Sequence, residues 1–127
     1  MILFAQSSGN HSTSSSSWTA IPGLSLQLPK VAGEAVLLIL NVPNPYATGT
    51  NFPGGNFGIE INGQVQSPFA AFTYNQQAPG SFGRVPTTLC VPIQLTSPQS
   101  ITATAVWSGI RGSTVNIDSP ATLTMII

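Results

Sequence analysis

Apolar residues recur at every second position through most of the chain. Leu24, Leu26 and Leu28 do so, as do Ile59 and Ile61, then Leu89, Val91, Ile93 and Leu95. The pattern continues in Ile101, Ala103, Ala105 and Trp107, in Val115 and Ile117, and in Leu123, Met125 and Ile127. A period of two is that of a strand with one face buried, because successive side chains point to opposite sides. Val36-Leu37-Leu38-Ile39-Leu40 departs from it by being apolar throughout. A strand of that kind is covered on both faces. With no helix to supply the second cover, a neighbouring subunit is the simplest candidate, so the run predicts an oligomer.

Turn formers separate these runs. The 12 Gly and 11 Pro are spread along the whole length. No apolar segment between them is long enough for a three-turn amphipathic helix. Met1 to Ala5 fits an edge strand, and Pro22-Gly23 a turn. Ser7 to Ser17 is Ser-rich and reads as an exposed loop or flexible arm. Asn41 to Gly55 is a long loop dense in turn residues, and loops of that length in small domains are often functional. Asn62-Gly63 is a hairpin signal. Pro92 inside the Leu89–Leu95 run marks an edge strand or a bulge. Eight or more short strands with regular turn signals predict an all-β jelly-roll β-sandwich. We expect one domain over 1–127: an N-terminal strand and Ser-rich arm in 1–20, and the jelly-roll body in 21–127.

Composition narrows the function. At 127 residues the chain can bury about two thirds of its unfolded surface. It carries three basic and three acidic residues, 5% in all, with no net charge. Nucleic acid and anionic membranes both require basic footprints, so neither is expected as a partner. No apolar run is long enough to cross a membrane as a helix. Met1-Ile-Leu-Phe-Ala has no basic start or long apolar core, so no export signal is legible and the location stays open. Cys90 is the only cysteine, which excludes an intrachain disulfide, and its place in a strand predicts a buried inert thiol. His11 is the only histidine and reads as a solvated loop residue. The Asn10-His11-Ser12 sequon is a chance match at this length unless the source is a eukaryotic secreted protein.

The residues for catalysis are missing. A serine triad needs a positioned histidine, and there is no Gly-x-Ser-x-Gly elbow. Glycoside hydrolysis needs two carboxylates across a cleft, and only Glu34, Glu60 and Asp118 are available. Phosphate-loop and dinucleotide signatures are absent, and one His, one Cys and three scattered carboxylates make no convincing metal site. No cofactor, no metal and no enzyme activity are expected.

Two arginines stand out against this background. Arg111 lies in a turn with Gly109 and Gly112 close by, and Arg84 ends the loop Pro79-Gly-Ser-Phe-Gly-Arg84. Each is either a solvated turn residue or part of a site. With Tyr46, Tyr74, Phe82 and Trp107 they describe a neutral, loop-rich surface suited to an uncharged polyhydroxylated ligand. Guanidinium offers several donors in a rigid fork and can bridge adjacent hydroxyls. Aromatic faces cover the apolar side of a sugar ring. Trp107, Phe57, Phe69 and Phe72 also fit core or interface packing, whereas Tyr46 and Tyr74 sit at loop edges.

Longer motifs add a family. Ile21-Pro-Gly-Leu24, Ile39-Leu-Asn-Val-Pro43, Pro45-Tyr-Ala-Thr-Gly49, Asn51-Phe-Pro-Gly54, Phe72-Thr-Tyr74, Gly83-Arg84, Arg111-Gly-Ser113 and Ile117-Asp-Ser119 occur in order. Over about Ile21 to Leu123 the chain resembles the tumour-necrosis-factor-like, fucose-binding lectin domain that forms the N-terminal half of bacterial superlectins. The first twenty residues match less well. The resemblance implies a homotrimeric jelly roll with metal-free sugar sites between subunits. It implies fucosylated oligosaccharides, of blood-group and Lewis type, as ligands. It assigns Tyr46, Ser81 and Arg84 to one subunit's share of the site, and Thr73, Tyr74 and Arg111 to its neighbour's. Asp118 and Ser119 would touch sugars beyond fucose. Two positions depart from the family: Asn56 replaces a tyrosine and Phe82 a threonine. Phe82 either narrows the pocket or gives the sugar an apolar wall. No second lectin domain is expected within these 127 residues. Against the lectin stands a structural jelly-roll subunit, of a capsid or adhesive fibre, in which both arginines merely order loops.

Overall fold

The computed structural model describes residues 1–31 and 35–127, without the side chains of 29–31. Glu34, with its expected turn beside Gly33, lies outside the described residues. The described chain is strand and turn, with no helix. Twelve strands follow one another: β1 (Ile2–Gln6), β2 (His11–Thr13), β3 (Thr19–Val31), β4 (Ala35–Val42), β5 (Tyr46–Thr48) and β6 (Gly54–Ile61). Then come β7 (Gln64–Val65), β8 (Ala70–Thr73), β9 (Thr87–Gln94), β10 (Gln99–Ile110), β11 (Thr114–Ile117) and β12 (Thr122–Ile126).

They form two main antiparallel sheets, β1-β12-β4-β9 and β3-β10-β6-β7, with β8 also paired to β6. A third, small sheet is β2-β11-β5. The chain passes from one main sheet to the other between β3 and β4, again between β8 and β9, and again between β9 and β10. That wrapping of distant strands into neighbours is a jelly roll. The period-two residues meet between the sheets. Val36, Leu38, Leu40, Leu89, Val91, Leu123 and Met125 face Leu24, Leu26, Phe57, Ile59, Ile101, Ala103 and Trp107 in one buried cluster. Phe57 and Trp107 are its largest members, with ring centroids 6.5 Å apart.

Several local signals come out as expected. Met1–Ala5 enters edge strand β1, and Pro92 sits on edge strand β9. Asn62 and Gly63 have φ of 50° and 86°, the left-handed pair of a tight hairpin between β6 and β7. Others differ. Pro22-Gly23 does not end a strand. It is taken up inside β3 as a bulge, where Thr104 pairs with Ser25 but Val106 pairs with Ala20. The Ser-rich segment is not a free arm, since β2 pairs with β11 and the Ser7 hydroxyl accepts a 2.8 Å bond from the Ala121 amide. The 41–55 loop contains β5, and β6 begins at Gly54. Phe69 is 53% exposed, with its ring edge-on to Trp18 at 5.4 Å on the outer face of the sheet.

Cys90 is exposed, not buried. Leu89 and Val91 on either side point into the core, so Cys90 must point out. It belongs to a face that extends over the whole four-stranded sheet. Cross-strand register places Ile2, Ile126, Leu37 and Pro92 in one row, and Phe4, Thr124, Ile39 and Cys90 in the next. Ile2 and Phe4 are 65% and 67% exposed. In a single copy, the doubly apolar run Val36–Leu40 therefore has its second face only half covered.

Candidate functional site

The hairpin joining β10 to β11 holds Arg111. The Ser113 amide donates to the Ile110 carbonyl at 3.0 Å, closing a two-residue turn of Arg111 and Gly112. Their φ angles are 51° and 73°. Gly112 adopts that conformation freely, whereas an arginine does so at a cost of about 1–2 kcal/mol. Gly109 allows the turn to close: a Cβ there would run into the Ser113 carbonyl. The Arg111 side chain reaches the 41–55 segment. Its Nε donates to the carbonyls of Asn51 and Phe52, both at 3.0 Å, and Nη2 to the Phe52 carbonyl at 2.5 Å. Nη2 also donates to Thr73 Oγ1, whose own hydroxyl donates to the Phe52 carbonyl at 3.0 Å. Phe52 has a φ of 47°, so two residues in a costly backbone conformation brace one another. Strain of this kind gathers at functional sites.

Asn56 lies on this side as well. It is two residues from Gly54, which pairs with Thr73, so Asn56 and Thr73 share the outer face of the five-stranded sheet. The Asn56 amide donates to Ser108 Oγ at 3.1 Å. Arg111 and Thr73, with Asn56 on the same face, make one cluster.

Arg84 anchors the other. Its Nη1 and Nη2 grip both carboxylate oxygens of Asp118 at 2.8 and 2.7 Å, and Nη1 also donates to the Asn44 carbonyl at 3.1 Å. The guanidinium lies over the Tyr46 ring, 4.2 Å from its centroid. Ser119 joins through its hydroxyl, which accepts from the Asn44 amide at 3.2 Å. The Tyr74 hydroxyl donates to the Gly83 carbonyl at 2.6 Å and accepts from the Ala47 amide at 3.2 Å. Tyr74 thereby pins the loop that carries Ser81, Phe82 and Arg84 against β5. Phe82 leans on it, ring centroids 6.2 Å apart and tilted by 49°. Ser81 is exposed on the same loop.

Within one chain these are two clusters with no shared partner. Arg111 touches Asn51, Phe52 and Thr73; Arg84 touches Asn44, Tyr46 and Asp118. Thr73 and Tyr74 are adjacent in sequence, yet their side chains go to different clusters, as alternation on a strand end requires. Trp107 belongs to the core, not to either cluster. Sequence inspection did not pick out Asn44, Asn51 and Phe52 as the groups that aim the arginines. Three of these contacts are backbone carbonyls, which no side-chain pattern announces.

Each guanidinium keeps a pair of donors without a partner among the described residues. Arginine has five N–H groups. Arg84 commits both hydrogens of Nη1 and one of Nη2, leaving Nε–H and the second Nη2–H. Arg111 commits Nε and Nη2, leaving both hydrogens of Nη1. Such a pair can span two neighbouring hydroxyls. No group of three or more His, Cys, Asp or Glu able to hold a metal occurs among the described residues.

A model of the family described as Bc2l-C, N-terminal domain, matches residues 8–126. The match reaches further back than the sequence motifs, which start at about Ile21. No curated protein matches. Among solved structures, dimeric latent PorU from Porphyromonas gingivalis is 13% identical with a TM-score of 0.50, covering 98% of this chain but 12% of that one. The CBM36-1 domain of a multidomain xylanase from the hindgut metagenome of Trinervitermes trinervoides is 14% identical with a TM-score of 0.43, covering 100% and 98%. At 13% identity the likeness to PorU concerns the fold alone.

Proposed function

The chain belongs to the family of Bc2l-C N-terminal domains, the tumour-necrosis-factor-like lectin domains of bacterial superlectins, and from this we propose that it is a trimeric lectin for fucosylated oligosaccharides of blood-group and Lewis type. The observation that carries the proposal is the pair of pinned arginines, each held by its own chain and each with two donors left uncommitted. A charge-assisted hydrogen bond contributes about 1.5–3 kcal/mol, against about 1 for a neutral one. In a chain with only three basic residues, these are the strongest donors that an uncharged ligand can meet.

Three copies close the site. The half-site of Tyr46, Ser81 and Arg84, bordered by Asp118 and Ser119, meets the half-site of Thr73 and Arg111 from the next copy. Tyr74, which the family pattern groups with Thr73 and Arg111, braces the Arg84 loop of its own chain. Phe82 supplies an apolar wall at the pocket, and Asn56 a polar group where the family has an aromatic ring. The exposed apolar face of β1-β12-β4-β9 is the surface that assembly would cover, since a patch of that kind on a neutral protein favours association. The site acts by binding alone, without catalysis, metal or cofactor. Single sites of this type are weak, and three on one body raise avidity by roughly 10²–10⁴ on a glycan-coated surface.

A glycan array tests the proposal. Fucosylated glycans are bound by the wild type, and binding is lost in Arg84→Ala and Arg111→Ala while the assembly stays intact. A folded protein that binds no glycan on the array returns the chain to a structural jelly-roll subunit.

A further inference from the structure

The small sheet β2-β11-β5 has an outer face of which the Arg84 cluster uses only the Tyr46 end. Asn116 pairs with Ser12 on one side and with Tyr46 on the other, so these three side chains form a row across the sheet. The opposite face is core, where Val115, Ala47 and Ile117 are buried. Above the row is a cleft of about 260 Å³, lined by Asn10, His11, Ser12, Tyr46, Asn116 and Asp118, with Ile117 as its aliphatic member. Its far end is the Arg84 half-site itself: Tyr46 carries the Arg84 guanidinium, and Asp118 grips it. The cleft and the half-site are therefore continuous.

Its chemistry is neutral and mixed. Asp118 is already paired with Arg84. His11 Nε2 donates to the Ser8 carbonyl at 2.7 Å, which leaves Nδ1 as its uncommitted ring nitrogen. The Asn116 amide donates to the Thr114 carbonyl at 3.2 Å, which leaves its oxygen and its second N–H. Asn10 and Ser12 have no side-chain partner among the described residues. Donors and acceptors thus line the cleft beside an aromatic ring. Hydroxyl and acetamido groups, which both donate and accept, match this surface; a phosphate or an ammonium does not.

We propose that the cleft is a second subsite, taking the neutral pyranose ring that adjoins the terminal sugar held at Arg84. The inference rests on the lectin function proposed above, and it assigns glycan preference beyond the terminal sugar to the β2 segment. Ser12→Trp fills the cleft, and Asn10→Ala with Asn116→Ala removes its polar groups. Titration calorimetry compares methyl fucoside with a panel of fucosylated tri- and tetrasaccharides. In the wild type, the best oligosaccharide binds at least about tenfold tighter than methyl fucoside, equivalent to about 1.4 kcal/mol. In both variants methyl fucoside binds as in the wild type, which also reports intact folding, and the oligosaccharide falls to the same affinity. A gain that survives both variants overturns the subsite, as does a panel in which nothing outbinds methyl fucoside; in either case the primary site stands. Wild type that binds neither methyl fucoside nor any oligosaccharide overturns the lectin function and the subsite together.

Discussion

Two binding-dead variants should restore each other when mixed. If a site takes Arg84 from one copy and Arg111 from the next, Arg84→Ala and Arg111→Ala each destroy every site in a pure trimer. Co-expressed, they do not. A site of that kind makes the interface head-to-tail, so its order matters. An intact site forms wherever an Arg111→Ala copy, which keeps Arg84, precedes an Arg84→Ala copy, which keeps Arg111. Each mixed trimer holds about one intact site in three, whichever variant contributes two copies, and random mixing restores about a quarter of all sites. Each lost arginine removes hydrogen bonds worth about 1.5–3 kcal/mol apiece, or roughly 10- to 150-fold in affinity, so the remaining sites are silent at glycan concentrations that saturate the intact ones. Stability should hardly change for Arg84→Ala, because its ion pair with Asp118 is 42% and 34% exposed. Exposed pairs contribute about 0–1 kcal/mol. Frontal affinity chromatography on differently tagged, purified mixed trimers gives the capacity directly. No recovery in mixed trimers would refute the composite site, because two arginines serving one site from the same chain cannot complement.

Other outcomes follow from the same coordinates. Ile39→Glu puts a carboxylate in the middle of the apolar face of β4, and mass in solution should fall from about three chains towards one; an unchanged trimer would place the interface elsewhere. Trp107→Ala removes the largest side chain of the core, which is 1% exposed, and should cost about 3–5 kcal/mol in urea unfolding, where a cost under 1 would contradict its packing. Gly109→Ala forces a Cβ against the Ser113 carbonyl and should abolish glycan binding while the other sheets keep their far-ultraviolet signature. Full binding by that variant would show that the Arg111 turn is not what aims the guanidinium.

The core was legible because burial and strand period say the same thing. Leu24, Leu26, Leu28, Leu89, Val91, Ile101, Ala103, Leu123 and Met125 all alternate in sequence and all face inward. Cys90 was misjudged although the signal existed: a residue between two inward-pointing neighbours on a strand must face out. The three-residue strands β2 and β5 were not legible. They are too short to show a period, and they exist because β11 offers each an edge to pair with. Arg84 and Arg111 stood out by scarcity and by their glycine-flanked loops. Tyr46, Thr73 and Asp118 were candidates through the family motifs, though nothing in the sequence paired Asp118 with Arg84, 34 residues away; the carbonyls of Asn44, Asn51 and Phe52 leave no trace in a side-chain pattern.

Arginines pinned by their own chain would let so neutral a protein hold the neutral ligand proposed for it. A free arginine side chain loses about 1.5–2 kcal/mol of rotamer freedom when it is fixed, which would cancel much of one hydrogen bond to a sugar. Here the fixing is done at folding. Arg84 is clamped by a carboxylate, a carbonyl and an aromatic face, and Arg111 by two carbonyls and a hydroxyl. Binding then gains the bonds without the ordering cost. The left-handed turn at Arg111 and the matching strain at Phe52 are the conformational cost of that arrangement, borne by a core that buries Trp107, Phe57 and the aliphatic faces of both sheets. A lysine could not substitute at either place, because an ammonium has no second edge: once its protons met these acceptors, no fixed pair of donors would be left for adjacent hydroxyls.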